Sequence, residues 1–321
     1  MLIGQVRRLQ VLTEVADRGS FSAAAEALGM TQSAVSQHVS ALERAVGQRV
    51  VDRAGRPMEL TEAGVILVRH ARAVVARLDT AEQEVGALAG RRGGRLRLGA
   101  FPTALATFLP AVLARFQERH PDVDLRVLDD HMPRLHDRLL EGELDLAITY
   151  DHPALPDLAP SGIERVHLFD DTYRALLPPR HPLASRATLR LADLGEETWV
   201  GGSPASAWFR ILRLACREAG FDPRVTLTSD DYIGVQAFVA AGLGVAVTPG
   251  LAATPAGPRV EVRELRAPAP VRRVWVARVD DAFPSPAAQT MIDTLTRSAA
   301  AAGRPRRRTG SAARRGRAPA R

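Results

Sequence analysis

The sequence predicts a mixed α/β protein in three parts: a small helical N-terminal unit, one long helix, and a C-terminal region of two α/β halves. Three observations predict it. Apolar residues recur at helical spacing through the first 46 residues. An unbroken 4-3-4-3-4-3 apolar repeat then runs from Leu67 to Leu88. From Arg95 onward, short apolar runs alternate with amphipathic segments, the βαβ pattern of a parallel sheet with helices outside it.

Val6, Leu9, Leu12 and Val15, with Arg8, Gln10 and Glu14 between them, predict a helix over residues 5–19 that Gly19 ends. Ser20 is a good N-cap for a second helix, Phe21 to Leu28. Gly29 breaks the chain, and Thr31 caps a third helix to about Val46. Two short apolar pieces, at residues 49–51 and 58–60, flank a turn at Arg53-Ala54-Gly55-Arg56-Pro57 and predict a small hairpin. Helix–glycine–helix followed by a hairpin is the pattern of a winged helix-turn-helix.

Thr61-Glu62-Ala63 opens the long helix, which runs to about Ala89. Its seam is Leu67, Ala71, Val74, Leu78, Ala81, Val85 and Leu88. A sustained 3.5-residue period is expected of a coiled coil between two chains. A helix lying on its own domain is the alternative. Arg91-Arg92-Gly93-Gly94 is a linker. Strand, helix, strand, helix, strand follow at residues 95–99, 105–119, 123–128, 134–141 and 145–150. A second set comprises strands near 165–169, 173–177 and 199–201, a helix over 207–219, a strand over 225–228, a helix over 233–241 and a strand over 244–248. A strand over 272–279 and a helix over 286–300 complete the region.

Composition narrows the function classes. The hydrophobic share is 46% and the charged share 25%, as in a soluble globular protein. The longest apolar run, Ala237 to Val247, contains two glycines and cannot span a bilayer, and the N-terminus shows no leader pattern. A single cysteine, Cys216, cannot form a disulfide within the chain, and a buried thiol is its expected state. The formal charge of +7 arises from residues 304–321, which hold eight arginines and no acid. Residues 1–97 remain basic, and residues 98–303 are acidic. A polyanion would therefore meet the N-terminal unit and the tail. The tail is expected to be disordered, either adding phosphate affinity or serving as an inert extension.

The third helix carries the clearest chemistry. Val35, Val39, Leu42 and Val46 form one apolar face. Gln32, Ser33, Ser36, Gln37 and Ser40 lie opposite, short polar side chains suited to base edges and phosphates in the major groove. Ser20-Phe21-Ser22-Ala23-Ala24-Ala25-Glu26-Ala27-Leu28, then Thr31-Gln32-Ser33-Ala34-Val35-Ser36-Gln37-His38-Val39, then Leu42-Glu43 and Val46-Gly47, resemble the helix-turn-helix of LysR-type transcription regulators. Residues 50–56 and Leu60-Thr61-Glu62-Ala63-Gly64 resemble that family's wing and the start of its linker helix. The resemblance covers almost the whole chain except the arginine tail. It implies dimers paired through linker helices and assembled into tetramers. It also implies a periplasmic-binding-protein-like effector domain of two Rossmann-like subdomains. Carried over residue by residue, Gln32, Ser33, Ser36 and Gln37 fall on DNA-contacting positions, and Arg53 and Arg56 on wing arginines that reach the backbone or minor groove. The chain departs from the family pattern at Ser33, usually Pro, at Gln37, often Arg, and at Val51, usually aromatic. Gln37 suits adenine rather than guanine.

The expected domains are 1–61 for DNA binding, 62–90 for dimerisation and 95–302 for effector binding, with an arginine-rich tail at 303–321. Within the effector domain, subdomain I takes in about 95–164 and 270–302, and subdomain II about 165–269. Strand carboxyl ends facing helix N-termini make natural sites for small ligands. Such ends fall at Leu98-Gly99-Ala100-Phe101-Pro102-Thr103 and Gly201-Gly202-Ser203. Residues 239–249 resemble the family's helix–turn–strand near the cleft. Candidate effector contacts are Thr103, Thr149, Ser203 and Thr248, with Phe101 as an apolar wall. A Ser or Thr at a helix start is more often just a cap, and the case rests on their convergence at one cleft.

Gly242-Leu243-Gly244 follows a helix and is no dinucleotide fingerprint. His131 and His136, with Asp129, Asp130 and Asp137 nearby, read as a solvated face rather than a metal site. An enzyme would leave the polar face of the third helix unexplained, and no nucleophile–base motif is present; an architectural DNA-binding protein would leave the cleft unexplained. The expectation is a cytoplasmic, sequence-specific regulator with no catalytic residues and no cofactor beyond a small-molecule effector. Its expected partners are double-stranded promoter DNA, further copies of the chain as dimer or tetramer, the effector and RNA polymerase, and no membrane.

Overall fold

The computed structural model describes residues 5–52, 58–88, 94–158, 160–253, 260–280 and 284–302. Three helices open the chain: α1 (Val6–Arg18), α2 (Phe21–Ala27) and α3 (Gln32–Val46). Gly19 ends α1 at φ +66°, a left-handed conformation that costs glycine nothing. The Ser20 and Thr31 hydroxyls accept the amides of Ala23 and Ala34, capping α2 and α3. Leu12, Val15, Ala24, Val35, Val39 and Leu42 close one core between them. The hairpin β1 (Val51–Asp52) and β2 (Glu59–Leu60) pairs Val51 with Leu60 and seals that core's edge. The wing arginines Arg53 and Arg56 lie outside the described residues.

α4 (Glu62–Leu88) serves two masters along its length. Its first turns pack Val68 and Ala71 onto the N-terminal core, with Leu67 half-buried. Val74, Leu78 and Val85 stand open at 43%, 43% and 66% exposure. The expected seam is thus divided: its start is used within the chain, and Val74, Leu78 and Val85 stay exposed. Arg72, on a neighbouring face, pairs with Asp17 of α1 and at 2.6 Å with Glu143 of the C-terminal region, pinning both to α4.

The C-terminal region is built on β3 (Gly94–Ala100), β4 (Val123–Asp129), β5 (Leu146–Asp151), β6 (Ile163–Leu177), β7 (Thr188–Leu189), β8 (Thr198–Gly201), β9 (Arg224–Thr228), β10 (Ala246–Pro249), β11 (Glu261–Leu265) and β12 (Val271–Val279). β3 pairs in parallel with β4 and β5, and β12 closes the first half antiparallel to β5. The helices are α5 (Pro102–Ala106), α6 (Leu109–Arg119), α7 (Arg134–Leu140), α8 (Ala207–Glu218), α9 (Tyr232–Ala240) and α10 (Pro286–Ala302). In the second half β8 and β9 run parallel, and Val245, just before β10, bridges to β8 through the bonds from Val200 N to Val245 O and from Val245 N to Thr198 O, each 2.8 Å. The fold class is the one read from the sequence.

Three details differ. The helix expected over 105–119 is two helices, because Pro110 lacks the N–H needed to continue α5 and sits in the first turn of α6 instead. The strands expected at 165–169 and 173–177 are one strand. Asp170-Asp171-Thr172 reads as a break, but Asp171 is neutralised inside the fold and Asp170 bonds His167. β6 pairs with β12 through Thr172 and with β10 and β11 from Tyr173 onward, so the crossing between halves falls later than residue 164. The short strands β7 and β11 carried no sequence signal strong enough to place them.

Candidate functional sites: the helix-three face and the interhalf cleft

On α3, burial of Val35, Val39 and Leu42 turns the opposite face outward. Gln32, Ser33 and Gln37 are exposed, and Ser36 and Ser40 are half-buried. The Thr31 and Ser33 hydroxyls lie 3.0 Å apart at the helix start.

The second site is a cavity of about 570 Å³ between the two halves. From the first half come Phe101 and Thr103 at the β3–α5 junction, His131 after β4, and Tyr150 at the end of β5. From the second come Ser203 and Trp208 around the start of α8, and Asp230, Asp231 and Tyr232 at the start of α9. Arg272 of β12 completes the wall. Trp208 reaches the cavity because residue 202 is glycine: a Cβ there would lie 2.7 Å from the indole.

Arg272 organises the floor. It is 1% exposed, and its Nε and one terminal nitrogen donate to Asp171 Oδ2 at 2.9 and 2.8 Å. The same terminal nitrogen donates to Thr103 Oγ1 at 2.8 Å. Its guanidinium carbon lies 4.8 Å from both the Phe101 and Tyr150 ring centroids, which meet edge to face. Burial raises the Tyr150 phenol above its ordinary range. On the other half, Ser203 N donates to Asp230 Oδ1 at 2.9 Å, and the hydrogen bonds from Ser203 and Ser206 keep Asp230 below the usual carboxylate range despite partial burial.

Of the five effector candidates, Phe101, Thr103 and Ser203 meet at this cavity. Thr103 meets it with its hydroxyl already bonded to Arg272. Thr149 and Thr248 do not line it. Successive strand residues face opposite ways, so Tyr150 takes the cavity side of β5 and Thr149 turns into the interior, where its hydroxyl has no partner. Thr248 is likewise interior, on β10 between neighbouring elements. Tyr150, Trp208, Asp230, Asp231, Tyr232 and Arg272 were not foreseen. Asp231 and Tyr232 begin a helix, by the same rule that found Ser203. Arg272 joins Thr103 across 169 residues, which no local pattern reveals.

Of the residues read as a solvated face, His136 is instead buried at 2% exposure, because α7 turns it inward, and Asp130 is paired with Arg138 at 2.7 Å. Among the described residues, no group of three or more His, Cys, Asp or Glu is placed to hold a metal ion, and no helix is long and apolar enough to cross a membrane.

Two family models match the chain: the bacterial regulatory helix-turn-helix protein, lysR family, over residues 6–65, and the LysR substrate binding domain over residues 89–300. A probable hydrogen peroxide-inducible genes activator of Mycobacterium avium is 33% identical over 273 residues, covering 83% of this chain and 85% of the relative. Among solved structures, a full-length OxyR variant from Pseudomonas aeruginosa superposes with a TM-score of 0.73 at 24% identity, covering 92% of this chain and 94% of that one. Full-length CbnR in complex with its target DNA gives 0.63 at 21% identity, covering 91% and 99%. With both halves of its architecture matched in order, the chain belongs to the LysR family of DNA-binding transcription regulators with an effector-binding domain.

Proposed function

We propose that residues 1–61 read promoter DNA through Gln32, Ser33, Ser36, Gln37 and Ser40, with Arg53 and Arg56 of the wing on the backbone. Residues 62–90 join copies of the chain into a dimer, and dimers into a tetramer. A small molecule seated between the halves of residues 95–302 sets which arrangement of the DNA-binding units is favoured. The observation that carries this reading is the cavity itself, whose walls come from both halves. A ligand touching both changes the free energy of their mutual arrangement, and a ligand touching one half would not.

The Mycobacterium avium relative is named for peroxide-inducible genes. In this chain the one cysteine, Cys216, is fully buried, and burial pushes its thiol up to about 12. A thiol held neutral and away from solvent is a poor nucleophile toward peroxide. That favours a bound ligand over thiol oxidation as the signal. RNA polymerase is the further partner this role calls for, and the cytoplasm its setting.

The test is footprinting on DNA upstream of the chain's own gene, with and without a panel of metabolites. A ligand should alter the footprint of the wild-type chain. Ala207→Trp, which fills the cavity from the start of α8, should keep the basal footprint and lose the response. A blocked variant that still responds removes the cavity from the mechanism.

A further inference from the structure

We infer that the effector taken by this cleft is an organic cation, an amine or guanidine on an aromatic or apolar body; the inference rests on the cleft being the effector site. It follows from an inventory of charge around the cavity. Among the described lining residues, the acidic and basic side chains are Arg272, His131, Asp230 and Asp231. Arg272 is already paired with a buried carboxylate. Its Nε and one terminal nitrogen engage Asp171, and that terminal nitrogen also donates to Thr103. Asp171 is in turn held by the Leu251 amide at 3.1 Å. A ligand carboxylate would meet a guanidinium whose charge Asp171 already balances.

The mouth carries the opposite sign. Asp230 and Asp231 sit side by side at the start of α9; Asp230 Oδ1 accepts the Ser203 amide at 2.9 Å, and Asp231 Oδ1 accepts the Ile233 amide at 3.0 Å as the helix cap. Even a charged His131 on the facing half leaves this mouth net negative. The rings of Trp208 and Tyr232, 5.3 Å apart between centroids and tilted by 50°, line the same cavity. Phe101 and Tyr150 face them from the first half. Ring faces carry the negative end of the aromatic quadrupole and attract cations, and their apolar area receives the body of the ligand. Carboxylates and rings lining one cavity select a positive head on an apolar stem, and repel an anion of the same shape. Such a ligand would rest its head on the second half and its body against the first, so that its binding favours approach of the halves.

The experiment is titration calorimetry of the full-length chain with three probes of one shape: 2-phenylethylamine, 2-phenylethanol and 3-phenylpropionate. The amine should bind at least tenfold more tightly than the carboxylate, with the alcohol between them. Added salt should weaken only the amine. Asp230→Asn with Asp231→Asn should remove the amine's advantage over the alcohol. Operator binding by that variant serves as the check that it is folded. A carboxylate that binds as tightly as the amine overturns the inference, and so does absence of amine binding at millimolar concentration. Ala207→Trp separates the two readings. If the carboxylate binds and the blocked variant loses it, the cleft is the effector site and only the charge class is wrong. If the amine still binds the blocked variant, the ligand sits elsewhere and both readings fall.

Discussion

Replacing Arg272 by methionine removes the cation beneath the cleft and leaves its partner behind. Asp171 is 6% exposed, and the Leu251 amide still donates to it at 3.1 Å. Stranding one member of a buried pair costs about 3–5 kcal/mol, because the residual charge has lost both water and its counter-ion. For a domain of about 200 residues, whose unfolding entropy is about 0.4 kcal/mol per degree, that is a fall of about 7–12 °C in Tm. Pairing the change with Asp171→Leu removes the stranded charge and leaves only the Leu251 amide and Thr103 hydroxyl without their partners. Polar groups left unpaired in this way cost about 1–3 kcal/mol, so the double variant should be more stable than the single. Tryptophan fluorescence is a suitable readout, since Trp199, Trp208 and Trp275 all lie in the C-terminal region. Thermal and urea unfolding of the full chain at this signal gives both numbers. A single variant losing less than about 1 kcal/mol, or a double variant no better than the single, refutes the assignment of a buried and dependent ion pair.

Val74→Asp with Leu78→Asp should leave monomers with weak operator affinity, because both side chains are open in one chain; an unchanged mass by light scattering would remove them from the interface. Gln37→Ala should cost about 1–3 kcal/mol on cognate DNA and little on random DNA, and equal losses in paired titrations would show that this residue does not read bases. Burial, with Arg165 nearby, pushes the His136 imidazole down from 6.5 to about 4. The unfolded chain takes up that proton first, so this group's share of stability is intact above pH 6.5 and drains as pH falls toward 4, by about 3 kcal/mol. Denaturation from pH 7 to 4.5 should therefore show a smaller acid loss in His136→Phe, and an identical slope would reject the assignment. Gly64→Ala would put a Cβ 2.0 Å from the Val50 carbonyl oxygen and should cost at least about 1–3 kcal/mol in the N-terminal unit, read by its loss of operator binding at lower temperature.

The sequence by itself determined what is local and periodic. The N-terminal helices, their caps at Ser20 and Thr31 and their break at Gly19 follow from side-chain spacing and from hydrogen bonds spanning three or four residues. The outward face of α3 follows from the same period, since burying Val35, Val39 and Leu42 leaves Gln37 no other direction. Helix and strand order in the C-terminal region, and the placing of Phe101, Thr103 and Ser203 at strand-to-helix junctions, are legible for the same reason. Tertiary structure alone decided which junctions share a cleft. It set Tyr150 rather than Thr149 toward the cavity, because facing within a strand depends on which side its neighbours cover. It carried β6 unbroken through Asp170 and Asp171, because a partner from 101 residues away neutralises Asp171. It also drew Arg272 to Thr103, Phe101 and Tyr150. Each of these rests on contacts between segments far apart in the chain, whose energies exist only once the chain has closed, so no window of sequence contains them.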